Sequence, residues 1–197
     1  METALARTLI AHVEDNAGVL NRIVSLLRRR GYSIDSLTVG PTHRAGVSHL
    51  TLVVGIDADG ARRLAAHLYK LIEVIEVLDV TDSAAVVREM AMMRVACTPD
   101  ERASLLGLFN QVGARMVELG PSWVTAELTG PRAAIDAALD MLRPRGLLQV
   151  VRTGAVALGH MAASAVEDAS RPYGRERDVE AVAARADERQ MLVGERS

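Results

Sequence analysis

One cysteine, Cys97, stands in 197 residues, so no disulfide framework can form within the chain, and an intracellular, cytoplasmic setting is the default expectation. Aromatic residues make up 3% of the sequence. Aliphatic side chains must therefore build the cores. A platform for single-stranded RNA, which stacks bases on aromatics of its central strands, would have almost nothing to stack on. No apolar run approaches the roughly eighteen residues that a membrane-spanning helix needs. The opening METALART lacks the basic start and apolar stretch of a signal peptide. The net charge of −2 exerts no general pull on nucleic acid or on an anionic membrane.

Recognisable catalytic chemistry is also missing. There is no G-x-S-x-G elbow and no phosphate-binding glycine loop. His12, His43, His49, His67 and His160 are scattered, with no pair at i, i+4 and no cysteine pair, so they read as surface or rim residues and not as a metal site. Glu14 and Asp15 are adjacent carboxylates, but adjacency in a loop does not make an acid/base pair. Cys97 falls in an expected buried strand, where a thiol is inert. Trp123, the sole tryptophan, reads as core or interface packing. The expectation is a chain with no catalytic residues, no metal and no cofactor of its own.

What is present is 49% hydrophobic and 24% charged, the balance of a globular protein. The organising stretch is RTLIAHVEDNAGVLNRIVSLLRRRGYSIDSLTV, residues 7–39, which reads strand, loop, helix, strand. The loop from Glu14 to Gly18 opens a helix that carries Val19, Leu20, Ile23, Val24 and Leu27 on one side. Asp15 or Asn16 is the expected N-cap, and Gly18 lets something approach the backbone closely. Arg28, Arg29 and Arg30 suit the helix end, and Gly31 stops it. Such a helix start leaves N–H groups free for an anion.

The elements follow in order. Strands are expected at 7–14, 33–39, 47–56 and 73–80, and helices from Gly18 and from Ala61 to Ile72. The second strand places Ile34 and Leu37 at opposite parity, which means a bulge or two occupied faces. The third strand points Leu50, Leu52, Val54 and Ile56 inward. The order β-α-β-β-α-β is the ferredoxin-like double split, with both helices on one face of a four-stranded antiparallel sheet. The simplest cover for its other face is a second copy.

After a linker at 81–87 the order repeats. Strands are expected at 89–97, 114–119, 122–129 and 147–151, with a continuation through 155–158 left open. Helices are expected at 99–113 and 131–142, the latter begun by Pro131 and burying Ile135, Ala138, Leu139 and Leu142. The fold class is therefore α+β, two ferredoxin-like βαββαβ domains at 5–80 and 88–160. Residues 161–197 read as a disordered tail, with a short helix from Asp178 to Gln190 as the alternative.

The chemistry that fits is binding. A helix N-terminus with a glycine can hold the carboxylate of a free amino acid, while Asp15 or a backbone carbonyl takes its ammonium group. Ile34 and Leu20 offer an aliphatic wall. If two protomers meet edge to edge, the loop of one faces the second strand of the other, and a ligand in that seam biases its geometry.

The runs VEDNAGVLNRIVSLLRRRGYSIDSLTVGPT, VSHLTLVV and LYKLIEVIEV resemble the N-terminal ACT domain of the acetolactate synthase (acetohydroxyacid synthase) small subunit. VREMAMMRV, PSWVTAELTG and RTGAVALGH resemble its second domain. The resemblance covers residues 7–160. It implies a non-catalytic, regulatory subunit of a transferase in branched-chain amino acid biosynthesis. Its partner is a large subunit that carries thiamine diphosphate, FAD and magnesium and is activated by it. The resemblance also implies a homodimer through the ACT domains, with the feedback inhibitor valine at their interface. Valine would touch Asp15, Asn16, Ala17, Gly18, Val19 and Leu20 of one protomer and Ser33 and Ile34 of the other.

Several positions depart from the family pattern. Ser33 replaces a common asparagine, and Asp15 stands where many members have asparagine. Ala17 stands where proline or serine is frequent, His49 where one version has arginine, and His160 where the closing strand usually runs on to serine and arginine. A serine at 33 lacks the amide's second hydrogen-bonding group, so weakened or retuned valine binding is expected. The alternative function is a free-standing tandem ACT protein that answers to an amino acid without this partner. A nucleic-acid binder and an enzyme in its own right fit less well, for the reasons of composition above.

Overall fold

A computed structural model describes residues 6–83 and 85–159. The expected tail at 161–197, its helix and His160 lie outside the described residues. The first half runs β1 (Ala6–Glu14), α1 (Val19–Arg29), β2 (Ile34–Pro41), β3 (Val47–Gly55), α2 (Ala58–Leu68) and β4 (Val74–Asp79). The second runs β5 (Val86–Ala96), α3 (Arg102–Val112), β6 (Arg115–Leu119), β7 (Trp123–Gly130), α4 (Arg132–Leu142) and β8 (Leu147–Leu158). Each half forms a four-stranded antiparallel sheet, ordered β2-β3-β1-β4 and β6-β7-β5-β8. The fold is the expected α+β pair of ferredoxin-like units.

Several helix ends have identifiable capping chemistry. Asp57 caps α2 by accepting the Gly60 N–H at 2.6 Å. Thr98 and Glu101 form a capping box around Pro99 ahead of α3. Pro131 stands as the residue before α4 and not as its first residue. At the end of α1, Gly31 takes φ 72°, its N–H reaches Arg28 O, and Tyr32 N–H reaches Leu27 O. These two bonds satisfy the last carbonyls in the pattern that favours glycine.

The first core packs Val19, Ile23, Leu26 and Leu27 of α1 on Leu9, Ala11 and Val13 of β1 and Leu50, Leu52 and Val54 of β3. Full burial of one such side chain stabilises by about 1.5–3 kcal/mol. Leu20 and Val24, expected inward, are 45% and 36% exposed. The buried stripe is one step further round the helix, so these two form an apolar flank facing outward. Ile72, assigned to the second helix from the sequence, is 70% exposed, because α2 ends at Leu68. The second core is built on Ala91, Met93, Val95, Leu105, Phe109, Val124, Ala126, Ile135 and Leu142. Trp123 is half-buried on the other face of that sheet, where the Arg94 guanidinium lies 4.4 Å from its ring centre.

Two bulges shape the junction between the domains. In β2 the register shifts between Ile34 and Ser36, leaving Asp35 as the extra residue, one of the two options left open by parity. In β8 the shift falls at Thr153 and Gly154, opposite Met90, and Gly154 takes φ 80°. The continuation through 155–158 is thus the same strand, bent.

The bent end of β8 crosses the open face of the first sheet. Ala157 packs on Ile10 and Val80, and its N–H donates to Thr51 Oγ1 at 3.1 Å. Ala155 N–H reaches Ser36 Oγ at 3.4 Å, and Thr38 Oγ1 donates to Thr153 O at 3.4 Å. Part of the face expected to await a second copy is covered from within the chain.

Candidate functional site

The loop from Glu14 to Gly18 is fixed by its backbone. Glu14 N–H donates to Glu73 O at 2.9 Å, Asp15 N–H to Gly46 O at 2.8 Å, and Asn16 N–H to Glu14 O at 2.9 Å. The expected cap is corrected here. Neither Asp15 nor Asn16 caps α1 with its side chain. Gly18 is the N-cap residue, at φ 89°, and Asn16 contributes only its carbonyl, which accepts Val19 N–H at 3.2 Å. The Asn16 amide is instead held by Glu14 Oε2 at 2.6 Å. Gly18 is required for its positive φ and not for a close neighbour, since a Cβ built there meets nothing within 4 Å.

This arrangement leaves a donor set facing outward. Among the described residues the N–H groups of Gly18, Leu20 and Asn21 meet no acceptor. They sit at the positive end of an eleven-residue helix, the electrostatics an anion requires. Leu20 and Val24 form the apolar flank beside them.

Glu73 and Arg22, neither singled out by the sequence, complete the surroundings. Glu73 is 7% exposed, and one carboxylate oxygen pairs with Arg22, which lies one turn into α1. Its other oxygen, Oε2, is buried and meets no hydrogen-bond donor among the described residues. The available clue was position: Glu73 directly precedes the edge strand that pairs with β1.

Ser33 and Ile34 lie elsewhere. They stand at the other end of α1, which rises about 16 Å over eleven residues. Ser33 is exposed, while Ile34 is half-buried and packs on the first core. Within one chain the structure brings together Asp15, Asn16, Ala17, Gly18, Val19 and Leu20, and it does not bring Ser33 or Ile34 to them. Val19 is buried in the core, so only its backbone faces the loop. β2 is an edge strand of its sheet, with Val39 43% exposed along it.

A separate cleft of about 480 Å³ lies between the domains, lined by Asp35, Ser36, Arg88, Arg132 and Arg152 among others, and does not include the Gly18 loop. In it Arg152 is held by Glu89 at 2.6 and 2.8 Å and by Asp136 at 2.6 Å, bonds that push its pKa up. Among the described residues no group of three or more His, Cys, Asp or Glu side chains is placed to hold a metal ion. No helix among them is long and apolar enough to cross a membrane.

The histidines are not all scattered rim residues. His12 and His49, on neighbouring strands, meet with ring centres 5.1 Å apart. Burial, and then the neighbouring His12, holds the pKa of His49 below the usual histidine range, although a hydrogen bond from its ring to the backbone of Ala157 works the other way.

The family profile described as small subunit of acetolactate synthase matches residues 88–161, and that described as AHAS small subunit-like ACT domain matches residues 9–76. The acetolactate synthase small subunit of Bacillus subtilis is 34% identical over 78% of this chain and 90% of its own length. The probable acetolactate synthase small subunit of Archaeoglobus fulgidus is 38% identical over 78% of this chain and 96% of its own length. In three dimensions the chain is similar to the crystal structure of the acetolactate synthase small subunit from Thermotoga maritima. That likeness has a TM-score of 0.74 at 26% identity, over 80% of this chain and 99% of that one.

Proposed function

We propose, from the premise that this chain belongs to the acetolactate synthase small-subunit family, that it activates a separate catalytic subunit and makes that subunit answer to valine. The thiamine diphosphate, FAD and magnesium of the reaction belong to the catalytic partner. This chain acts in the cytoplasm as a homodimer joined through its ACT domains.

The observation that carries the reading is the separation of the two halves of the site. Free N–H donors and the apolar flank of Leu20 and Val24 lie at one end of α1; Ser33 and Ile34 lie at the other. A small zwitterion can touch both sets only where two chains meet. The valine carboxylate takes the N–H groups at Gly18 and Leu20. Its ammonium group takes Asp15, with the unpartnered Glu73 oxygen as a second anionic group at that end. Its side chain rests on Leu20 and on Ile34 of the second copy. Because the ligand sits in the seam, it shifts the equilibrium between dimer geometries, and the catalytic partner reads that shift.

The test is reconstitution. The purified chain is mixed with the catalytic subunit, and acetolactate formation is followed with and without valine. The rate should rise on mixing and fall again as valine is added. A rate unchanged by the chain would overturn the reading.

A further inference from the structure

The outer face of α2 carries positive charge that the chain leaves unbalanced. Elsewhere arginines meet carboxylates: Arg7 pairs with Asp79, Arg94 with Glu118, Arg115 with Glu127 and Arg152 with Glu89. Residues 60–72, along α2 and the turn after it, hold Arg62, Arg63, His67 and Lys70 and no acidic residue. Arg62 is met by Asp59. Arg63 has only Asp57, at 4.0 Å, and exposed Lys70 meets no carboxylate among the described residues. Arg30, at the end of α1, is likewise exposed and without an ion pair among them. These cations share one surface with His67. Desolvation, and then the charges of Arg30, Lys70 and Arg63, hold the His67 pKa below the usual histidine range.

The helix dipole does not account for this set. A cation gains about 0.3–1 kcal/mol from the dipole only within the last turn. His67 stands in the last turn of α2, but Arg63 stands in its middle. Lys70 N–H reaches His67 O at 3.2 Å, so the winding continues past the end of α2. Arg63, His67 and Lys70 therefore follow at i, i+4 and i+7 and share one face, where like charges repel. Within the chain the arrangement costs stability. Carboxylates from outside would offset that cost.

Shape and position narrow the occupant. Neither the cleft between the domains nor a smaller one of about 300 Å³ beside Cys97 includes these residues. From Arg63 to Lys70 the set spans about 10 Å of convex helix surface. That shape suits a protein surface bearing several carboxylates and not a pocketed small anion. The Tyr69 hydroxyl bonds the backbone of Val77, which ties the end of α2 to β4. β4 is the sheet edge opposite β2, and the seam between two copies uses β2, so α2 stays free in the dimer. Lys70 also stands three residues before Glu73. The Glu73 carbonyl accepts Glu14 N–H at 2.9 Å, and its carboxylate pairs with Arg22. A partner seated on α2 thus touches the turn that holds the Gly18 loop.

Resting on the reading of this chain as a regulatory subunit, we propose that the α2 face of Arg63, His67 and Lys70, with Arg30 beside it, docks a carboxylate-bearing surface of the catalytic subunit. The test is the affinity of the full chain for the catalytic subunit at low and high salt. At about 0.05 M salt Lys70→Glu should weaken binding about tenfold or more, and the gap should close at about 0.5 M. Lys70→Gln, which adds no charge, should lose less. Arg115→Glu makes the same charge change on the second domain and should stay within about twofold of the unaltered chain. Thermal unfolding of each variant reads its fold separately from its binding. Affinity unchanged in both Lys70 variants would overturn the docking face, and so would an equal loss in Arg115→Glu. So would an unchanged affinity with an altered mass of the free chain, which would give the face to a second copy. A catalytic subunit that does not bind the unaltered chain at all would instead sink the regulatory reading, and this face with it.

Discussion

Ser36 and Gly154 belong to different domains, yet a Cβ built on Gly154 would stand 2.7 Å from the Cβ of Ser36. Gly154 also sits at φ 80°, a backbone region that side chains rarely adopt. Gly154→Ala should therefore cost about 2–4 kcal/mol, from the backbone and the clash together. In a Ser36→Gly background the clash term disappears, so the cost should shrink to the backbone part alone. Urea unfolding of the four chains in this cycle measures the difference.

That junction also marks where sequence reasoning stops. The repeated β-α-β-β-α-β order was legible because each element is short, amphipathic and bounded by turn residues, as with Asp57 ahead of α2 and Gly31 after α1. The parity of Ile34 and Leu37 narrowed the second strand to two options, and the bulge at Asp35 is one of them. The crossing of β8 over the first sheet did not show, because it turns on a single glycine at positive φ and not on any period. His12 and His49 lie 37 residues apart and meet only through the β1–β3 register. Leu20 and Val24 were misplaced because periodicity fixes the stripe width of a helix more firmly than its rotation. The Gly18 loop was legible as the start of α1, but its cap was not, since a positive φ leaves no trace in side-chain pattern.

Gly18 gives a cleaner test of backbone conformation, because no neighbour opposes a side chain there. Gly18→Ala should destabilise by about 1–2 kcal/mol. Gly18→Asn should cost less and Gly18→Val more, following tolerance of the left-handed region. Thermal unfolding of the three variants checks the order.

Arg152 neutralises Glu89, whose side chain is 8% exposed. Arg152→Ala would leave that carboxylate buried and uncompensated, at a cost of about 3–5 kcal/mol. Replacing both residues at once, Arg152→Leu with Glu89→Leu, should cost much less than Arg152→Ala. Denaturant midpoints of the single and double variants decide this.

His49 is held below the usual histidine range, so in acid the unfolded chain binds more protons at this residue than the folded one. Its contribution to stability is full above about pH 6.5 and is lost as pH falls from there through the lowered pKa. Urea midpoints should therefore drop between about pH 7.5 and about pH 5.5, and the drop should shrink in His49→Gln.

A valine held in the proposed seam would meet a serine at position 33, which offers one fewer hydrogen-bonding group than an asparagine there would. Ser33→Asn should tighten valine binding by about two- to tenfold, the worth of one added hydrogen bond. Calorimetric titration of the two chains measures the ratio.

The proposed shared site is tested most directly by mixing two defective chains, Gly18→Val with a ruined loop and Ile34→Asp with a ruined strand. Each alone should bind no valine. In a random mixture, half the dimers are hybrids, and each hybrid holds one site free of both substitutions, so binding should return to about a quarter of the unaltered capacity. Mixtures that form hybrids and still bind nothing would contradict a site built from two chains.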